Sequence, residues 1–112
     1  MTSMTRVGGL FVAAVFLAAA AEAQTADKGA AVFTAQKCAM CHALDGKGNA
    51  KGALDEVGSK LTADDIRKWI VTPAEMGAKS GSTRKPAMKA YPTLPKEDLD
   101  ALVGYLAAKK KK

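Results

Sequence analysis

The residues best suited to chemistry in this 112-residue chain lie together in one pentapeptide, CAMCH, at positions 38–42. It contains both cysteines, Cys38 and Cys41, and the only histidine, His42. Thiol and imidazole groups can form disulfides, bind metals or hold a prosthetic group. Because all three side chains fall within five residues, we expect a single binding event to engage them together.

Three uses of such a motif need a context that the sequence does not supply. A thioredoxin-like dithiol requires a βαβ setting, and no strand pattern is visible. A structural zinc site has four ligands, typically from two such pairs, whereas this chain offers three candidates in one run. A disulfide between Cys38 and Cys41 would leave His42 idle. These three uses stay open as the less favoured alternatives.

The spacing C-x-x-C-H is the attachment signature of c-type haem. Each cysteine sulfur adds to one vinyl group of the porphyrin, and the two intervening residues let a helical turn present both thiols to neighbouring vinyl groups. The adjacent histidine is then directed under the ring, where its imidazole can ligate the iron. We therefore predict one covalently bound haem c that is attached through Cys38 and Cys41 and ligated by His42.

The N-terminal residues have the pattern of a secretory signal. Arg6 supplies a positive charge, residues 7–21 are apolar, and Ala21 and Ala23 form an A-x-A cleavage site. This pattern predicts a cleaved signal peptide over residues 1–23, a domain over 24–112 and export to the bacterial periplasm. An uncleaved anchor is less favoured because a spanning helix needs about 17–25 apolar residues.

The charge of the chain indicates the kind of partner. Seventeen Lys and Arg residues against 11 Asp and Glu residues give a formal net charge of +6. Arg67 and Arg84 are the only arginines after the signal, and nucleic-acid readers usually carry several, so we expect no nucleic-acid binding. The charge favours an acidic protein partner or an anionic membrane face. Together with the predicted haem, it leads us to expect acidic redox proteins that a monomer binds transiently.

The chain ends in a separate basic tail, formed by Lys109, Lys110, Lys111 and Lys112. We expect this tail to be solvated, with weak contact to an anionic membrane surface as the alternative. No transmembrane span is expected after the signal peptide.

Stretches with helical spacing are expected to position these groups. Thr25 can cap a first helix that ends near Lys37, with an apolar face of Ala26, Gly29, Ala30 and Phe33. Glycine costs helix stability relative to alanine, so Gly29 indicates a close helix crossing. Residues 43–60 contain four glycines without sustained periodicity and are predicted to be loop.

Three further helices are expected in the second half of the chain. Thr62 and Asp65 form a capping arrangement for a helix bounded by Pro73, with a buried stripe of Ile66, Trp69 and Ile70. A short helix is expected to start at Pro73 and to end at Gly77. After a polar loop, Pro95 precedes the last helix, whose apolar stripe is Leu99, Leu102, Val103 and Leu106.

The chain resembles the class I cytochromes c, small bacterial electron carriers with one haem. The resemblance is carried by the segment from Gly29 to Phe33 and by the stretches CAMCH, KGALDEVGSKLTADDIRKWI, KPAMKAYPTL and KEDLDALVGYLA. It implies an all-α, cytochrome c-like fold of three to five helices wrapped around one covalently bound haem. It also implies that the first and last helices cross, with Gly29 and Phe33 against Leu102 and Tyr105.

A second axial ligand is expected on the iron, and methionine in that position favours electron transfer. Met76 and Met88 could reach the face opposite the histidine. We predict Met88, because it lies between Pro86 and Pro92 and because MKAYP resembles the methionine loop of the family. Met76, on the short helix, is the alternative and otherwise fills the core.

The resemblance also assigns supporting roles around the haem. The family has a proline whose carbonyl accepts the proton of the ligand histidine, and Ala53 occupies that place here, which retains the carbonyl. Tyr91 is expected beside the methionine loop. Trp69 is expected either at a haem propionate or simply in the core.

Nothing else in the sequence looks catalytic, so we predict no enzyme but a soluble periplasmic one-electron carrier with a haem c ligated by His42 and Met88. The alternatives are a haem c subunit or dedicated electron acceptor of a periplasmic oxidoreductase complex, and a gas sensor or peroxidase-like enzyme with an open iron site. Lys37, Lys85 and Lys89 are expected to surround the exposed haem edge and steer acidic partners, or else only to keep the protein soluble.

Overall fold

A computed structural model describes residues 26–112, which form five α-helices. These are α1 (residues 26–35), α2 (Val57–Lys60), α3 (Ala63–Val71), α4 (Pro73–Ser80) and α5 (Lys96–Ala107). The predicted all-α class is confirmed. The predicted signal peptide over 1–23, the domain start at 24 and the cap at Thr25 lie outside the described residues.

Helices α1 and α5 cross at Gly29, as expected. A Cβ atom at this position would collide with the Cβ of Tyr105 and the backbone carbonyl oxygen of Ala101. One turn further on, the Phe33 ring meets the Tyr105 ring edge-on, with centroids 6.4 Å apart and an interplanar angle of 68°. Leu102 is only 2% exposed in the same cluster. The glycine therefore lets the two helices approach closely enough to form the core.

Helix α3 begins with the predicted capping box. The backbone N–H of Asp65 donates to Thr62 Oγ1 at 3.1 Å, and the backbone N–H of Thr62 donates to Asp65 Oδ2 at 3.3 Å. Ile66 and Ile70 are buried on the face that packs against α5. The capping box thus sets where α3 begins, and the apolar stripe sets which of its faces is buried.

The segment predicted to be loop, residues 43–60, contains the one-turn helix α2 and a small β-hairpin, so this part of the prediction is wrong. Strand β1 (Ala43–Leu44) pairs antiparallel with β2 (Lys47–Gly48), in the register Ala43↔Gly48 and Leu44↔Lys47. The connecting residues Asp45 and Gly46 have φ values of 52° and 80°. Positive φ at both positions is what a two-residue type I′ turn requires, and Asp-Gly is a preferred pair for it.

The end predicted for the helix that starts at Pro73 is wrong. Helix α4 begins at Pro73 as expected but continues through Gly77 to Ser80. Gly81 then adopts the left-handed conformation, with φ 70°, and its N–H donates to the Gly77 carbonyl. The helix therefore ends at the glycine that takes the left-handed geometry of a C-terminal cap.

The basic tail is partly folded, which corrects the expectation that all of it is solvated. The N–H of Gly58, near the start of α2, donates to the Lys109 carbonyl at 2.7 Å, and the N–H of Lys111 donates to Ser59 Oγ at 2.7 Å. Lys109 Nζ also lies 3.2 Å from Asp45 Oδ2. The first N–H groups of a helix have no partner inside it, and the tail supplies one.

In the part of the chain that the structure describes, no helix combines the length and the apolar character needed to cross a membrane.

Candidate functional site

A cavity of about 550 Å³ lies among the helices. The four predicted site residues, Cys38, Cys41, His42 and Met88, all line it. Most of the remaining lining is apolar and comes from α1, α2, α3, α4 and α5, including Phe33, Val57, Ile66, Trp69, Pro73 and Leu106. The volume falls within the range of small-molecule and cofactor sites.

The attachment turn follows directly from the end of α1. Lys37 adopts a left-handed conformation with φ 58°, and a short 3₁₀ turn then runs over Cys38–Met40. Its closing hydrogen bonds run from the N–H groups of Cys41 and His42 to the Cys38 carbonyl, at 3.1 and 2.9 Å. One tight turn therefore presents both thiols and the imidazole to the same cavity.

Both cysteines are free thiols, so the structure gives no support to a disulfide between them. Cys38 is half-buried and Cys41 is exposed. Burial raises the pKa of the Cys38 thiol above its ordinary value.

The imidazole of His42 is oriented by a backbone carbonyl. Its Nδ1 lies 3.0 Å from the Gly52 carbonyl oxygen. Because a carbonyl only accepts hydrogen bonds, Nδ1 carries the proton and Nε2 is left with a free lone pair. Burial lowers the pKa of the His42 imidazole; the hydrogen bond to Gly52 opposes this shift, and the positive charge of Arg84 adds to it. The neutral form that can ligate a metal is thereby favoured.

The acceptor is Gly52 and not Ala53, which corrects the sequence-based assignment by one position. Ala53 forms a parallel bridge with Ala43, and the N–H of Leu54 donates to the Ala43 carbonyl at 2.8 Å. Ala53 is extended, with φ −60° and ψ 131°, so consecutive carbonyls point to different sides of the chain. The pairing with β1 therefore directs the Gly52 carbonyl to His42.

Met88 lies on the loop between α4 and α5, packs against the buried core and lines the cavity. Met76, the alternative, is on α4 and is not among the residues that line it. Tyr91 fixes the end of the loop: its N–H donates to the Ile70 carbonyl at 2.9 Å, and its hydroxyl donates to the Gln36 carbonyl at 3.0 Å. The structure thus brings Met88 to the same cavity as the attachment turn.

Arg84 is a residue of the site that no sequence motif predicted. It lines the cavity, and its Nη2 donates a hydrogen bond to the Cys41 carbonyl. The available signal was its position, because it is one of two arginines after the predicted signal and precedes Met88 by four residues. Trp69 also lines the cavity, while its contact with a haem propionate stays a prediction.

The surface beside the attachment turn combines charge with one exposed apolar side chain. Met40, inside the turn, is 71% exposed. Lys37, Lys85 and Lys89 are exposed on the segments that carry the site residues, and Lys89 Nζ lies 5.7 Å from the centre of the Tyr91 ring. That these lysines surround a haem edge stays a prediction.

The donor set fits a covalently attached haem better than the alternatives. Two thiols, a neutral imidazole and a thioether share one cavity with an apolar lining, which suits a large flat apolar group with an iron at its centre. Within residues 26–112, no three His, Cys, Asp or Glu residues cluster so as to hold a metal ion, which leaves the zinc alternative without support. The described strands are two residues long and provide no thioredoxin-like βαβ unit.

Comparison with known proteins agrees with this fit. Residues 26–110 match the family Cytochrome c. The cytochrome c oxidase subunit 2 of Alkalihalophilus pseudofirmus is 32% identical over 94 residues, a match that covers 76% of this chain and 26% of that subunit. The chain therefore spans about a quarter of the length of this relative.

No solved structure matches the chain significantly. The match over residues 26–110 nevertheless includes the attachment turn, the cavity and all five helices. The chain thus belongs to the cytochrome c family, which binds covalently attached haem c and serves haem-based electron transfer.

Proposed function

We propose that this protein is a periplasmic one-electron carrier whose haem c is attached through Cys38 and Cys41 and ligated by His42 and Met88. The observation that carries the proposal is the convergence of these four side chains on one apolar cavity, in a chain of the cytochrome c family. Haem c supplies, when bound, a one-electron couple between Fe(II) and Fe(III).

The chain's own residues prepare the site for this role. The 3₁₀ turn at Cys38–Met40 holds both thiols at the cavity, and the Gly52 carbonyl keeps the proton on Nδ1 of His42. The loop anchored by Tyr91 presents the Met88 thioether. The apolar lining gives a bound haem a surrounding of low polarity, which is one of the factors that set its reduction potential.

The experiment that tests the proposal asks whether the pigment is covalently attached. Acid-acetone extraction of the purified coloured protein should leave the haem on the chain, and mass spectrometry should show one added haem. The variant Cys38→Ser/Cys41→Ser should release its haem in the same extraction. Complete extraction of haem from the wild type would contradict attachment through these thiols.

The periplasmic location is supported by the signal pattern over residues 1–23. Mass spectrometry of the protein from a periplasmic extract should give a mature chain that starts at Gln24. A chain that keeps residues 1–23 and sediments with the membranes would contradict a cleaved signal.

Acidic redox partners would dock on the surface that holds Lys37, Met40, Lys85 and Lys89. The exposed apolar side chain of Met40 and the exposed lysines on the segments that carry the site residues support a small, transient interface. Ferricyanide, an anionic oxidant, should oxidise the reduced protein more slowly as ionic strength rises. The variant Lys37→Glu/Lys85→Glu/Lys89→Glu should react more slowly and weaken this salt dependence, whereas an unchanged dependence would contradict the proposed surface.

We also propose a weak contact between the tail and an anionic membrane. The backbone of the tail is held on α2, and Lys110, Lys111 and Lys112 are exposed. Each lysine near such a surface adds up to about 1 kcal/mol. Phosphatidylglycerol vesicles should bind the wild type more tightly than phosphatidylcholine vesicles, and Lys110→Gln/Lys111→Gln/Lys112→Gln should remove the difference. Equal binding to both vesicles would contradict the contact.

A second candidate function is a haem c subunit or dedicated electron acceptor of a periplasmic oxidoreductase complex. The similarity to an oxidase subunit is compatible with this function and with a free carrier alike. A haem-stained native gel of gently extracted periplasm and membranes discriminates the two functions. A free carrier gives a band at the mass of the purified monomer, whereas a subunit gives its main band at a higher mass.

A further inference from the structure

We propose that Arg84 is a positioning residue that ties the loop carrying Met88 to the attachment turn, and that its charge raises the reduction potential of the bound haem. The inference rests on the proposed function, because it assumes a haem held by His42 and Met88. It assigns a specific role to a side chain that no motif marks.

The tie is a hydrogen bond between segments that are far apart in the chain. Arg84 Nη2 donates to the backbone carbonyl of Cys41, 43 positions away. Cys41 precedes His42, and Arg84 precedes Met88 by four residues. One side chain therefore connects the segment of the proposed fifth ligand with the segment of the proposed sixth.

The structure leaves room for this contact at Gly52. A Cβ atom on Gly52 would collide with the guanidinium of Arg84 and with the Cys41 carbonyl oxygen. The carbonyl of the same residue accepts from His42 Nδ1. Gly52 thus serves two functions at once: its backbone orients the imidazole, and its missing side chain admits the arginine.

The charge of Arg84 is not neutralised by the described part of the chain. No carboxylate among residues 26–112 lies within ion-pair distance of it, whereas the other described arginine, Arg67, pairs with Asp100 at 2.8 Å. Arg84 lines the cavity and Arg67 does not. A guanidinium keeps its charge at all ordinary pH values.

A fixed positive charge beside the cavity affects the two oxidation states differently. Ferric haem carries one more positive charge than ferrous haem, so repulsion by Arg84 destabilises the oxidised form more. The expected result is a higher reduction potential than in a protein without this charge. The tie to Cys41 has a separate effect, because it restrains the loop that presents Met88.

Three variants of the haem-loaded protein separate the two roles. Arg84→Met removes both the charge and the hydrogen bond, and Arg84→Lys keeps the charge without the planar fork. Arg67→Met is the matched control, because it removes the same charge at a site outside the cavity. The measurements are the midpoint potential and the urea concentration at which the near-infrared band of sulfur-ligated ferric haem disappears, compared with far-ultraviolet circular dichroism.

For the potential, Arg84→Met should raise the oxidised-to-reduced ratio at a fixed applied potential by about fivefold, the size expected for one charge acting across a partly solvated edge. This corresponds to a fall of about 40 mV, at about 59 mV per tenfold change for one electron. Arg84→Lys and Arg67→Met should stay near the wild type. A potential unchanged in Arg84→Met, or an equal fall in Arg67→Met, would overturn the charge role.

For the tie, Arg84→Met should lose the near-infrared band at a lower urea concentration than it loses helicity, and by a wider margin than the wild type or Arg67→Met. Coincident loss at the wild-type concentrations would overturn the tie. A wild type without the near-infrared band would instead refute Met88 ligation, and the inference with it. That failure is distinct because it shows in the wild-type spectrum before any variant is made.

Discussion

The hydroxyl of Tyr91 donates a hydrogen bond of 3.0 Å to the backbone carbonyl of Gln36, 55 positions earlier in the chain. Gln36 lies between α1 and the attachment turn, and Tyr91 lies three residues after Met88. The bond therefore joins the backbone that enters the turn to the loop that presents the methionine. It predicts that the phenol contributes both to stability and to the position of that loop.

Tyr91→Phe removes the hydroxyl and keeps the ring. Because the Gln36 carbonyl loses its donor in a half-buried setting, the free energy of unfolding should fall by about 0.5–1.5 kcal/mol in urea titrations. Tyr105→Phe is the control, since its hydroxyl makes no hydrogen bond within residues 26–112. Equal losses in the two variants would show that the bond to Gln36 contributes nothing specific.

The same phenol makes stability depend on alkaline pH. Burial raises the pKa of Tyr91 above its ordinary value of 10.0, because the ionised form is disfavoured in the folded protein. The protonated phenol therefore stabilises the fold fully below the unfolded pKa, and this stabilisation is lost as pH rises through the folded pKa.

Urea titrations of the wild type and Tyr91→Phe at several pH values test this sign. The difference in unfolding free energy should be constant between about pH 7 and 9 and should shrink above about pH 10. Because the two proteins share all their other titratable groups, the difference between their unfolding free energies reports the titration of the Tyr91 phenol. A difference that grew with rising pH would contradict the expected direction.

Gly29→Ala should destabilise the protein although alanine is the better helix former. The new methyl group would meet the Tyr105 Cβ and the Ala101 carbonyl oxygen. Overpacking of this kind costs about 1–3 kcal/mol, which exceeds or offsets a propensity gain of about 1 kcal/mol. Thermal or urea unfolding of the haem-loaded variant measures the balance.

The matched control for this substitution is Gly104→Ala on α5. A Cβ atom at Gly104 would meet nothing within 4 Å. This variant should gain about 0.5–1 kcal/mol, so the two glycines respond with opposite signs. Stabilisation by both substitutions would mean that α1 and α5 are not in close contact at Gly29.

Met76 and Met88, the two methionines outside the turn among residues 26–112, give a direct test of axial ligation. Met88→Ala should abolish the near-infrared sulfur-to-iron band and let carbon monoxide bind the reduced protein much faster. Met76→Ala should leave the band and the binding rate unchanged, because Met76 does not line the cavity. The reverse result would assign the ligand to Met76.

Local signals in the sequence predicted the attachment turn, the helices α1, α3 and α5 and the start of α4, but not α2. Thr62 and Asp65 form their capping box, three of the four residues of the last stripe are buried with Leu99 half-buried, and Gly29 marks the crossing with α5. The capping box and the stripe depend on residues a few positions apart. Gly29 is informative by itself, because a glycine inside a helix lowers helix stability and so indicates a close contact. Short-range spacing was therefore sufficient to predict the cap of α3 and the buried face of α5.

The hairpin, the acceptor of His42 and the role of Arg84 were not predicted. The hairpin has a local turn signal, whereas the other two depend on contacts between residues that are distant in the sequence. The pair Asp45-Gly46 was a recognisable hairpin signal. The shift of the histidine's acceptor to Gly52 depends on pairing of Ala53 with Ala43, and the role of Arg84 depends on folding that brings it to Cys41. No local pattern contains the last two.

The hydrogen bonds between the last residues and α2 bear on how the chain can be handled. Val57, the first residue of α2, lines the cavity, and its neighbour Gly58 is held by the Lys109 carbonyl. Lys109 and Lys111 therefore hold α2 in place, and α2 forms part of the wall of the pocket. Removal of residues 108–112 would take the acceptor from the Gly58 N–H and should therefore loosen that wall.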